Sequence, residues 1–349
     1  MVSLQLSRLL NTCAIVVLCA FSLNAKAKEP FELVGVTTAA GEKQSYIAEE
    51  GNVRLPVTVV NGAHPGPVLL LAAGTHGDEF PAMFALQKLA EELDANTVKG
   101  TVILLHLANL DGFHGRRLAL NPNDEKNLNR EFPGSSTGTA TEQIAELLTR
   151  EFISRIDFFV DMHSGSSNQK LLNHVYSPFV GDDELDELTF EFAKATGMQH
   201  IVMYGDRPTD PANSISFPNT AMTRGKPGLT TEIGHLAERD QESIDFAYEV
   251  AKNSMFFLDM LPGQTAPHQE AVIYEDIQYT QSNYDGFFTP LVTIGDSVTR
   301  GAEVGVVIDY FGNEVQTLAA PVDGTVLMIN ETPPIRKDES PVAIGVPQQ

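Results

Sequence analysis

Two short stretches carry side chains that could share a divalent cation. Gly74-Thr-His76-Gly-Asp-Glu79 sets an imidazole and a carboxylate three residues apart, and Asp161-Met-His163-Ser-Gly165 offers a second imidazole. Two imidazoles and one carboxylate are the ligand set of a catalytic zinc site with an open position. Water in that position is acidified towards neutral pH. Glu232, in Thr-Thr-Glu-Ile-Gly, could take the proton. That is equipment for hydrolysing an amide. A lone His-x-x-Glu would read as a surface pair, but here it follows an apolar run and is flanked by Gly74 and Gly77. Glycine lets backbone come close to an ion. Asp78 either orients a ligand or favours the N-terminus of the following helix.

A second constellation is Asn127-Leu-Asn129-Arg130-Glu-Phe-Pro-Gly134. Arginine grips carboxylates with two prongs, and Asn129 can add a donor beside Arg130. The alternative is an arginine in a surface ion pair. Upstream, Arg116 and Arg117 include one candidate to stabilise a developing oxyanion and one that is only solvated. Asp124 is placed to brace its loop. His64, His106, His114, His174, His200, His235 and His268 show no ligand spacing and are assigned to packing or surface, with His235 the first exception to consider.

These groups need strand ends to hold them. Pro67–Ala73, Thr101–Leu107 and Ile156–Asp161 are short apolar runs that suit strands buried on both faces. Helical spacing appears between them, over Ala82–Leu93 and Thr141–Phe152. Alternation of this kind predicts an α/β sheet. Thr75-His76, His163 and Glu232 each follow or close a predicted strand, where open α/β sheets bind ligands. From about Ala271 onward, short apolar segments alternate with turns such as Asp285-Gly286 and Asp323-Gly324. The expected organisation is a catalytic domain over 28–265 and a small all-β domain over 270–349.

Residues 1–27 read as a signal peptide. Arg8 precedes an apolar run, and Ala25-Lys-Ala27 offers small residues for cleavage after Ala27. The run is short for a membrane span. The expectation is a periplasmic or secreted protein with no membrane contact after cleavage. Both cysteines, Cys13 and Cys19, lie in that segment, which excludes a thiol nucleophile from the mature chain. The net charge of −23 over 349 residues excludes nucleic acid as a partner, since phosphate binding needs a basic face.

Gly74–Glu79, Asp124-Glu-Lys-Asn-Leu-Asn-Arg-Glu-Phe-Pro-Gly134, Asp161–Gly165 and Thr231-Glu-Ile-Gly234 occur in an order that resembles the zinc carboxypeptidase superfamily. Within it, the chain resembles the succinylglutamate desuccinylase/aspartoacylase group, over roughly residues 50 to 260. The resemblance implies a zinc-carboxypeptidase-like mixed sheet flanked by helices, with an appended β domain. It implies one Zn2+ held by His76, Glu79 and His163. It makes Glu232 the general base and then the general acid, and has Asn129 and Arg130 bind a substrate carboxylate. The upstream arginine looks like Arg117, with Arg116 the other candidate. Glu125 departs from the pattern, which has glycine there. The implied activity is removal of the acyl group from a small N-acyl amino acid. A carboxypeptidase acting on short peptides or cell-wall fragments is the first rival. A binding protein on the same fold is the second.

Overall fold

A computed structural model describes residues 28–265 and 270–348. The expected signal segment with its two cysteines, the expected cleavage point and His268 lie outside the described residues. Among the described residues, no helix is long and apolar enough to cross a membrane.

The apolar runs become strands because their alternate side chains feed two separate cores. In the strand His64–Ala73, residues Leu69 to Ala73 are all fully buried. Leu69, Leu71 and Ala73 join one apolar cluster, in which the helices Phe80–Glu92 and Gln241–Phe257 also take part. Leu70 and Ala72 join another, on which the helix Ala140–Leu147 packs. A strand covered on both faces needs no polar alternation, which is why it reads as a continuous apolar run.

The resulting mixed sheet has thirteen strands. At its centre Gly228–Glu232, Phe158–His163, His64–Ala73 and Lys99–Leu105 run parallel in that spatial order. Val53–Asn61 and Glu42–Glu50 continue it antiparallel on one side. On the other side His174–Pro178 pairs antiparallel with Gly228–Glu232, and His200–Tyr204 follows in parallel. Val272–Tyr279 then pairs parallel with His200–Tyr204, and Val342–Pro347 and Gly324–Asn330 extend that edge. The C-terminal region is β-rich. A separate four-stranded sheet lies there, and Val304, Val307, Val326 and Ile344 share an apolar cluster of their own. The fold is therefore the mixed, helix-flanked α/β sheet with a β-rich C-terminal region. The observed helix Phe80–Glu92 starts two residues before the spacing predicts, with Pro81 in its first turn, where a missing N–H costs nothing.

Candidate active site

Sheet register assembles the site. His163 ends its strand directly opposite Glu232, and Asp161 lies opposite Ala72, three residues before Thr75. Three distant motifs thus meet because their strands are neighbours and end at the same edge. Gly74 turns the chain out of its strand at φ +69°, a conformation that favours glycine. Gly77 has a different reason from the one its sequence setting suggests. A Cβ there would lie 2.1 Å from the backbone nitrogen of Phe113, so the glycine admits a neighbouring helix rather than an ion.

The ligand atoms of His76, Glu79 and His163 lie within 4.8 Å of one another. Nδ1 of His76 is 2.7 Å from Glu79 Oε1, and Nδ1 of His163 is 2.7 Å from Glu79 Oε2. The far nitrogens are also held. His76 Nε2 lies 3.1 Å from Asn127 Oδ1, and His163 Nε2 lies 2.8 Å from Asp161 Oδ2. Asn127 and Asp161 offer acceptors to the two Nε2 atoms, although Asn129 Nδ2 also lies 3.1 Å from His163 Nε2. With a cation in place of the Nδ1–Glu79 contacts, each Nε2 can hold the proton and each Nδ1 turn a lone pair inward. That is the tautomer a cation requires, fixed by outer carbonyl and carboxylate partners. The three residues fit one divalent ion. Burial alone would raise the Glu79 pKa, but the two imidazoles outweigh it and hold the carboxyl down at about 2.

Asp161 is fully buried and ties the assembly together. It accepts a hydrogen bond from Thr75 Oγ1 at 2.7 Å and another from Asn129 Nδ2 at 3.1 Å. Asn129 Oδ1 in turn accepts from the Phe217 N–H at 2.8 Å. Asn129 borders the pocket, yet its amide mainly braces Asp161 and the helix Phe217–Met222. Asp78 resolves to a brace as well, accepting from the Ser167 N–H at 3.1 Å and Ser166 Oγ at 3.3 Å. Asp124 holds Thr141 through its N–H and hydroxyl at 2.8 and 2.7 Å, as its place in the loop suggests.

His76, His163, Glu232, Asn129 and Arg130 all line one cavity of about 210 Å³. Burial pushes the Glu232 carboxyl well above its ordinary range. Glu79 and Asp161 add to this by repulsion, against the opposing pull of His163. Arg130 is exposed and donates from Nη1 to the Asn129 carbonyl at 2.7 Å.

The structure does not bring Arg116 or Arg117 to this cavity. Both border a different one, and Arg117 pairs with Glu125 at the surface. The physical reason lies in their loop. Glu125 adopts φ +57°, so the glycine-like turn is kept and its carboxylate is presented to Arg117. The second guanidinium in the active cavity is Arg207, which lies over the Tyr204 ring at 5.0 Å. Tyr176, Tyr204 and Tyr279 complete the wall. Arg207 had a readable signal, since Gly205-Asp-Arg207 follows an apolar run as Gly74-Thr-His76 does. Tyr279 had none, because it comes from the C-terminal region. His235 lies off the site, 3.9 Å from Glu238.

Residues 65–258 match the succinylglutamate desuccinylase/aspartoacylase catalytic domain. The N-alpha-acetyl-L-2,4-diaminobutyric acid deacetylase of Halomonas elongata is 33% identical over 278 residues, 78% of each chain. A succinylglutamate desuccinylase of Pseudomonas aeruginosa is 27% identical over 61% of this chain and 63% of its own length. The ectoine utilization protein EutE (DoeB) from Ruegeria pomeroyi shares the fold with a TM-score of 0.79 at 24% identity, covering 87% of this chain and 95% of that one. The chain belongs to the succinylglutamate desuccinylase/aspartoacylase family and is an amidohydrolase.

Proposed function

We propose that this protein is a zinc-dependent deacylase of small N-acyl amino acids, with His76, Glu79 and His163 holding one zinc ion. The observation that carries the reading is the register of Glu232 opposite His163, beside the three-residue ligand cluster. When bound, the ion supplies Lewis acidity, acidifying a water and polarising a carbonyl. Glu232, once ionised, takes a proton from the attacking water and returns it to the leaving nitrogen. Arg130 and Arg207 face the same cavity and bind a substrate carboxylate. Asp161 and Asn127 hold the imidazoles in the tautomer that leaves Nδ1 free. The cavity is smaller than the ~300–1,000 Å³ of drug-sized sites, which favours acyl amino acids over peptides. N-acetylated amino acids and succinylglutamate are the first candidates, because relatives are named for such compounds.

We assign 28–265 as the hydrolase unit and 270–349 as a β unit that narrows the pocket through Tyr279. Residues 1–27 we assign as the signal peptide of a periplasmic or secreted enzyme, which N-terminal sequencing of the mature chain tests. The function itself is tested by measuring zinc content and amine release from a panel of N-acyl amino acids. A zinc-loaded, folded chain that releases no amine from any of them would remove the proposal.

A further inference from the structure

Arg207 borders the active cavity, yet no strand or helix carries it. It stands beyond the end of the strand His200–Tyr204, in the connection that leads to the helix Phe217–Met222. Arg130 borders the same cavity, and the two guanidinium charges repel one another. An arginine on a loose connection would swing towards water, and would lose rotamer freedom when a substrate drew it back. The structure shows two grips on this connection, one on each side of Arg207.

The grip after Arg207 is Asn219, buried in the first turn of the helix. Its Nδ2 donates to the Pro208 carbonyl at 2.8 Å, and its Oδ1 accepts from the Ile215 N–H at 3.1 Å. A carbonyl only accepts and a backbone N–H only donates, so the two partners fix which way the amide points. One short side chain thus ties both ends of the loop from Pro208 to Ile215, and Pro208 directly follows Arg207. The grip before Arg207 is the Phe179 ring, which lies over Gly205. A Cβ on Gly205 would meet ring carbons at 2.0 Å. Phe179 is tied to the same strand end, its N–H donating to the Tyr204 carbonyl at 3.0 Å. Between the two grips the guanidinium lies over the Tyr204 ring.

Asn219 borders the cavity, so direct contact with substrate is the competing role. Its amide oxygen and nitrogen are already bonded to backbone, which favours holding the loop over binding substrate. We infer that Asn219 is a positioning residue: it sets Arg207 through the Pro208 carbonyl, and so decides how tightly a substrate carboxylate is held without touching it. The inference rests on the reading of Arg207 as a group that binds a substrate carboxylate.

The test is a double-mutant cycle on the zinc-loaded full chain, with Asn219→Ala, Arg207→Met and both together. KM and kcat are read for the N-acyl amino acid that the wild type hydrolyses fastest. Asn219→Ala should raise KM ~3–10-fold, the worth of one neutral hydrogen bond, and leave kcat within ~2-fold. In the Arg207→Met background the same change should move KM by less than ~2-fold. No rise in the wild-type background overturns the inference. An equal rise in both backgrounds also overturns it, because Asn219 would then act on substrate directly or on the fold at large. Should Asn219→Ala fail to fold, exchange of the Asn219 side-chain amide protons decides. Succinate, used as a plain carboxylate probe, should slow that exchange in the wild type and leave it unaltered in Arg207→Met. No slowing in the wild type, or equal slowing in both, overturns the inference. A wild type that hydrolyses no N-acyl amino acid overturns the deacylase reading, and the succinate measurement still decides the role of Asn219.

Discussion

Glu232, the proposed base, sits in a place that disfavours its charge. Burial raises its pKa first, and Glu79 and Asp161 raise it further. A carboxyl whose folded pKa is raised stabilises the fold below its unfolded value, and loses that contribution as pH rises through the folded one. Glutamine mimics the protonated form at every pH. Metal-free Glu232→Gln should therefore melt higher than the wild type at pH 8, with the gap shrinking towards pH 4. Thermal unfolding at the two pH values checks this, and a lower melting point at pH 8 would contradict it. The same variant, loaded with zinc, should keep the metal and lose ~10²–10⁴-fold in turnover, the range for loss of a general base. Steady-state kinetics with metal analysis reads both halves. The two arginines in the cavity make a further distinction. Arg207→Met should cost ~10–100-fold in kcat/KM for a carboxylate-bearing substrate, and more than Arg117→Met does. The reverse order would show that the Arg117 loop swings into the pocket during turnover.

At the scale of elements, strand ends and the turns after them set the chemistry. The strands Phe158–His163 and His64–Ala73 bring Asp161 against Thr75, and that contact aims His163. Asp161→Asn keeps the shape but removes the charge that anchors the His163 Nε2 proton. Zinc affinity should fall ~10–100-fold, as it does when outer partners of a ligating imidazole are changed. Competition with a chelator measures this, and unaltered affinity would show that strand packing alone orients the ring. The glycines flanking the His-x-x-Glu were legible as places where backbone comes close to another group. The reason for Gly77 was not, because the backbone that excludes a side chain there comes from Phe113, 36 positions on.

At the scale of the molecule, the C-terminal strands do more than sit beside the hydrolase. Val272–Tyr279 covers the edge of His200–Tyr204 and delivers Tyr279 to the cavity that His76 and Glu232 line. A chain ended at residue 265 would expose that edge, whose unpaired N–H and C=O groups invite aggregation. It should be insoluble or melt without a sharp transition, as judged by size exclusion and thermal unfolding. A soluble truncated chain with unchanged substrate preference would show that the β unit neither supports nor gates the site.

The meeting of His76, Glu79, His163 and Glu232 could be expected from residue types, spacing and motif order, because such strand ends leave local marks: an apolar run, then a polar group with a glycine within two residues. The buried strands were legible for the same reason, since a segment covered on both faces must be apolar throughout. Arg207 and Tyr279 at the pocket wall were not, and the placing of Arg117 away from the pocket was not. Each depends on which strand lies beside which and on which charge reaches a guanidinium first. Such facts belong to distances between residues far apart in the chain, and only the folded sheet fixes them.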